Sequence, residues 1–123
     1  MKILLVDDNE ELREFLAQSL REVDVETVTA KDVSGALAAA AAAKFDVFVV
    51  DAFLGADDGL QLATQLGAPV KGAKGTPVVL MSPLSTALAR RMASAAGCSE
   101  FLVKPFGLTQ LAEVVKNLGR ARR

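Results

Sequence analysis

The chain has no histidine, no tryptophan and no tyrosine, and it holds a single cysteine. The missing histidine excludes a histidine metal site, a Ser-His-Asp triad and any phospho-histidine carried by this chain. Cys98, standing alone, excludes an internal disulfide and suits a reducing cytosol. No excess of either charge is present. Against 15 acidic residues stand 14 basic ones, a net charge of -1, which gives no electrostatic footprint for nucleic acid or for a membrane. Long apolar runs are also missing. The longest, Ala36 to Ala43, falls far short of the roughly 20 residues a membrane span needs, and its alanines favour a helix. Met1-Lys2 passes straight into Ile3-Leu4-Leu5-Val6 and then into acid, which is not a signal-peptide pattern. The expectation is one soluble, cytoplasmic domain over residues 1–123, long enough to bury roughly two thirds of its unfolded surface.

What the chain does have is a set of short, β-favouring apolar runs that end in polar residues. Val47 to Val50 is the clearest, an uninterrupted run that reads as a strand buried on both faces, and it ends in Asp51. Ile3 to Val6 ends in Asp7-Asp8-Asn9, Pro77 to Met81 in Ser82-Pro83, and Phe101 to Val103 in Lys104-Pro105-Phe106. A further strand is expected near Val25 to Thr29, its register unsettled by the lack of strict alternation.

Helical patterns fall between these runs. Asn9 can cap a helix opened by Glu10 and Glu11, with Leu12, Phe15, Leu16 and Leu20 as its apolar stripe. Asp32 can cap the alanine-rich helix that ends near Ala43. Asp57 or Asp58 can cap one carrying Leu60, Leu62 and Leu66. Another helix is expected from about Ser85 to Ala96, closed by Gly97, and a last one carries Leu108, Leu111, Val114, Val115 and Leu118. Gly67 to Thr76 reads as an exposed connection, and the basic tail from Gly119 to Arg123 as a frayed end. Such alternation predicts right-handed βαβ units and one parallel sheet with helices on both faces.

In a parallel sheet these strand ends converge on one edge, where open α/β sheets place ligands and chemistry. Asp7, Asp8 and Asp51 would then repel one another. Lys104 cancels one negative charge, and a hard divalent cation such as Mg²⁺, bound through oxygen, would cancel the rest. A carboxylate beside Mg²⁺, a lysine and a hydroxyl is a phosphoryl-accepting arrangement: the carboxylate attacks phosphorus while the others hold the equatorial oxygens. Singly, these residues have plainer readings. Asp58 is a cap, Asp7-Asp8 could be one, Ser82 beside Pro83 could be a turn residue, and Phe101 could be core.

Taken together, Asp7-Asp8, Asp51, Asp58-Gly59, Ser82 and Lys104-Pro105-Phe106 resemble the receiver (CheY-like) domain of bacterial two-component response regulators. The resemblance covers the whole chain, with 31 residues from Asp51 to Ser82 and 22 from Ser82 to Lys104. It implies a flavodoxin-like (βα)5 doubly wound, five-stranded parallel sheet of order 2-1-3-4-5, a fold for which receivers are a standard example. It also implies Asp51 as the phosphorylated residue. Asp8, Asp51 and the backbone carbonyl of Phe53 would hold Mg²⁺, with Asp7 helping from behind, and Ser82 and Lys104 would contact the phosphoryl group. Ser82 and Phe101 would be the switch residues, reshaping the surface of the fourth helix, fifth strand and fifth helix. The phosphoryl donor would be a histidine kinase or a histidine phosphotransfer protein, and the recipient of the signal an unknown downstream protein or output domain. A phosphorylation-dependent homodimer is admitted; direct nucleic-acid and membrane contacts are not expected. The domain would assist its own phosphorylation and dephosphorylation without being an enzyme in the ordinary sense.

Three positions depart from the family's pattern. Pro83 stands where the family presents a backbone N–H to the phosphoryl group, and proline has none. Gly55 stands where proline is common, so a looser loop is expected. Phe53 and Leu84 are apolar at positions that tune attack by water, so slow self-dephosphorylation is expected. Rivals on the same fold lack their marks: the turn after the first strand is acidic, without the glycine fingerprint of a dinucleotide site or the Ser/Thr/Gly-rich loop of a flavodoxin. An aspartyl-phosphate hydrolase would want an acid where Phe53 stands. The remaining alternative is a pseudo-receiver, a phosphorylation-independent protein-binding module that keeps the acidic pocket.

Overall fold

The computed structural model describes residues 1–68 and 75–122. In chain order the elements are β1 (Lys2–Val6), α1 (Glu10–Glu22), β2 (Glu26–Ala30), α2 (Val33–Ala42), β3 (Val47–Asp51), β4 (Phe53–Leu54), β5 (Asp57–Asp58), α3 (Gly59–Gly67), β6 (Val78–Ser82), α4 (Ala87–Ala95), β7 (Glu100–Val103) and α5 (Leu108–Arg122). Five strands form one parallel sheet of order β2-β1-β3-β6-β7. Counting only these five, the order is 2-1-3-4-5, the flavodoxin-like arrangement expected.

Alternation along each strand divides the core between the two faces of the sheet. Leu4, Val6, Phe48, Val50, Val78 and Leu80 pack with Leu62, Leu66 and Ala93 beneath α2, α3 and α4. Ile3, Leu5, Val47, Val49, Val79 and Met81 pack with Leu16, Leu20, Leu111 and Val115 beneath α1 and α5. Strands buried on both faces must be apolar throughout, which is why β1, β3 and β6 read as unbroken runs. Among the described residues no helix is long and apolar enough to cross a membrane.

Several details differ from the sequence expectation. Phe15 is 58% exposed, because the buried stripe of α1 runs through Leu16, Ala17 and Leu20 and leaves Phe15 on its flank. Thr86 caps α4 by accepting the Ala89 N–H, so that helix begins two residues later than its composition suggested. Between Asp57 and Asp58 the structure chooses Asp58, whose carboxylate accepts from Leu60 and Gln61. The basic tail does not fray as far as described: α5 runs to Arg122. Gly119 is buried against the Met1 side chain, which ties this last stretch to the start of β1. Most of the expected Gly67–Thr76 connection lies outside the described residues.

Candidate functional site: an acidic pocket at the sheet edge

Register explains why residues so far apart in sequence meet. Val6 pairs with both Ala30 and Val50, Asp51 with Met81, and Ser82 with Val103. Asp7, Asp51, Ser82 and Lys104 therefore reach the carboxyl edge of the sheet at nearly the same level. Asp7, Asp51 and Ser82 are buried, and Asp8, one residue beyond Asp7, is exposed.

Lys104 joins the two buried acids. Its Nζ donates to Asp51 Oδ2 at 2.8 Å and to Asp7 Oδ2 at 3.0 Å. The remaining oxygen of each acid accepts a backbone N–H: Asp7 Oδ1 from Asn9 at 2.9 Å, Asp51 Oδ1 from Phe53 at 3.0 Å. Burial is the largest influence on Asp51 and pushes its carboxyl above the usual range. The hydrogen bond from Lys104 and that from the Phe53 N–H oppose the rise, while Asp7 adds to it. For Lys104, burial alone would lower the ammonium's pKa, but the hydrogen bonds to Asp51 and Asp7 outweigh it and the net direction is upward. The lysine is thus held charged. It immediately precedes the cis peptide bond Lys104–Pro105, and its own N–H donates to the Ser82 carbonyl at 2.8 Å, which ties its backbone to the end of strand β6.

Carboxylate oxygens of Asp7, Asp8 and Asp51 lie within 4.8 Å of one another. With these acids ionised, three negative charges face one lysine, leaving two in excess. A hard divalent cation bound through oxygen fits both that donor chemistry and that charge. Asp7 and Asp51 each have one oxygen on Lys104 and the other on a backbone N–H, whereas Asp8 is exposed and is the acid best placed to offer a lone pair outward.

The loop after Asp51 is more ordered than its composition suggests. Phe53–Leu54 and Asp57–Asp58 pair antiparallel, and Gly55-Ala56 is the two-residue turn between them. Only Gly55 of the two has positive φ, at +64°, the pattern of a type II′ hairpin turn. Proline, fixed near −65°, could not adopt it. Gly59 matters for a different reason. Its N–H donates to the Ala52 carbonyl at 3.1 Å, and a Cβ there would collide with the Asp51 backbone. The Asp58-Gly59 pair therefore brings α3 against the end of β3, a close approach visible in sequence only as a glycine after a cap.

Ser82 Oγ accepts the Leu84 N–H at 3.0 Å across Pro83. Beside it lies a cavity of about 180 Å³ lined by Ala52, Leu80, Ser82, Leu84, Met92 and Phe101 among others. Phe101 is half-buried, its ring 5.0 Å beneath the Arg90 guanidinium, a contact between α4 and β7 that residue spacing did not reveal. Phe53 has an exposed side chain.

The description "Response regulator receiver domain" is that of the family model matching residues 3–116. PrrA of Mycobacterium tuberculosis, a transcriptional regulatory protein, is 34% identical over 121 residues, covering 98% of this chain and 51% of that protein. HprR of Escherichia coli, also a transcriptional regulatory protein, is 29% identical over 94% of this chain and 50% of its own length. The chain thus spans about half the length of these curated relatives. Among solved structures, a Francisella response regulator receiver domain superposes with a TM-score of 0.89 at 27% identity, covering 99% of this chain and 98% of that one. Chemotaxis protein CheY4 of Vibrio cholerae gives 0.84 at 27%, covering 95% and 97%. With the family model spanning nearly the whole chain and the same fold recurring in these receivers, the chain belongs to the response regulator receiver domain family of two-component signalling.

Proposed function

We propose that Asp51 accepts a phosphoryl group from a partner's phospho-histidine and that the domain signals through the resulting change at Ser82 and Phe101. The observation that carries this reading is the Lys104 bridge: an ammonium held between Asp51 and Asp7, at the edge of the sheet, with Asp8 opening outward. Asp51 attacks phosphorus with a carboxylate oxygen. An O–P bond forms as the donor's N–P bond breaks, and the electron pair returns to the donor imidazole, which takes up a proton. Lys104 stays close to the equatorial oxygens, and its charge offsets what develops on them. Asp8, Asp51 and the Phe53 carbonyl would hold Mg²⁺, with Asp7 orienting Lys104 from behind. Bound there, the ion supplies positive charge to the phosphoryl oxygens.

Because these 123 residues hold no histidine, the donor lies outside them, in a histidine kinase or a histidine phosphotransfer protein. The matched relatives are transcriptional regulators about twice this length, so an output coupled to transcription, through an attached or separate effector, is the reading we favour. The signal would leave by α4, β7 and α5, a surface that also offers a route to a phosphorylation-dependent homodimer. Residues 1–123 would act in the cytoplasm as a single receiver unit.

Pro83 favours one second reading, the pseudo-receiver that binds partners without phosphorylation. Intact-protein mass after incubation with acetyl phosphate separates the two. A Mg²⁺-dependent gain of one phosphoryl mass in the wild type and not in Asp51→Asn supports the first reading. No gain in folded wild type supports the second.

A further inference from the structure

Pro83 removes a hydrogen-bond donor from the segment that follows β6. The next amide, that of Leu84, turns back two residues and donates to Ser82 Oγ at 3.0 Å, a serine turn that closes over the proline. Ser82 itself is held from the other side, since its carbonyl accepts the Lys104 N–H at 2.8 Å and the residue is 3% exposed. A hydroxyl has one proton to donate and two lone pairs to offer. With the Leu84 N–H on one lone pair, the O–H is what remains to donate, and it makes no hydrogen bond to any of the described residues.

We propose that the Leu84 backbone N–H is a positioning group that replaces the missing donor at Pro83. It holds Ser82 Oγ so that the hydroxyl proton is presented to a phosphoryl oxygen on Asp51. An N–H feeding an O–H polarises it, so the single remaining donor is strengthened as well as aimed. The phosphorylated state of this chain then depends on the Ser82 hydroxyl more heavily than it would if residue 83 carried an amide proton. This inference rests on the reading of Asp51 as the phosphoryl acceptor.

Two measurements on the full chain test it, with Mg²⁺ and beryllofluoride as the probe. Amide exchange by NMR in the free protein should find the Leu84 N–H protected in wild type and in Ser82→Thr, and exchanging at least about tenfold faster in Ser82→Ala. Calorimetry should find beryllofluoride bound about tenfold more weakly by Ser82→Ala than by wild type, the cost of one donor to a charged group. In a Pro83→Ala background, which restores a donor, that cost should shrink. Equal costs in the two backgrounds, or a Leu84 amide indifferent to Ser82→Ala, would overturn the inference and leave the Asp51 reading standing. Wild type that binds no beryllofluoride would overturn both. If Ser82→Ala does not fold, wild type decides: a through-hydrogen-bond coupling between the Leu84 nitrogen and fluorine would show the N–H on the probe instead of on Ser82, against the inference. Absence of that coupling with Leu84 still protected supports it.

Discussion

The pocket has two halves built on different physics. Asp7, Asp51 and Lys104 are locked by register and by ion pairs from a half-buried lysine to two buried acids, with each carboxylate oxygen of those acids engaged. Ser82, Pro83, Leu84 and Phe101 form the other half. There the side-chain contacts include the Leu84 N–H on Ser82 Oγ, a cation–π stack and a cavity that opens toward exposed Leu84 and Met92. The first half stores charge in a fixed geometry. The second has room beside it, which suits the switch role proposed for Ser82 and Phe101.

Substitutions should separate the halves by size of effect. Lys104→Ala strands two buried carboxylates without their cation, so stability should fall by on the order of 3 kcal/mol in urea denaturation, and acetyl phosphate should no longer load Asp51. A loss below about 0.5 kcal/mol would mean that the bridge is not what holds this half together. Asp8→Asn removes an exposed acid, so stability should change little while Mg²⁺ affinity, followed by calorimetry, should drop at least about tenfold. In the half with Ser82 and Phe101, Arg90→Ala removes only the stack on Phe101, about 0.5–1 kcal/mol, and should raise the mobility of the Phe101 ring seen by NMR without altering Mg²⁺ binding. A coupled loss of Mg²⁺ affinity would show that the two halves are not independent.

The smallest effect lies away from the pocket. Burial pushes the Cys98 thiol up from its ordinary 9.0 to about 11. Since the folded value is the higher one, the stabilisation is complete below pH 9 and is lost as pH rises through about 11. Alkylation of Cys98 should be slow at pH 8 and accelerate across that window; rapid reaction at pH 8 would contradict the burial.

The legibility of each half follows from the same difference. Parallel strands must be continuously apolar, so Val47 to Val50 and Ile3 to Val6 announce themselves, and their terminal acids come with them. Once the topology is granted, register carries Asp7, Asp51, Ser82 and Lys104 to one edge. The sequence also exposed the missing donor at Pro83, but not where the following amide would go. That depends on a local turn in which Leu84 bonds Ser82, and nothing in periodicity reports it. Gly55 shows the same limit. Its composition suggested slack, whereas cross-strand pairing of Phe53 with Asp58 and of Leu54 with Asp57 uses its positive φ to close a hairpin. Phe15 was misplaced because helical spacing admits it to the stripe of α1, while the contact with β1 and α5 selects Leu16 and Leu20 instead.

Apolar Phe53 and Leu84, both about half exposed, flank the mouth of the site and offer water no acid or amide side chain to orient it. Phosphorylated protein freed of acetyl phosphate should therefore keep its label for many minutes, and a half-life of seconds would contradict this.

The central claim is that Asp51 is the acceptor. Its most direct test is borohydride reduction of protein phosphorylated by acetyl phosphate and Mg²⁺, followed by peptide mass mapping. Reduction of an aspartyl phosphate leaves homoserine, so the account requires that mass change at position 51 and nowhere else, and only when Mg²⁺ is present. Homoserine at Asp7 or Asp8, or no reduced residue in folded protein, would contradict it.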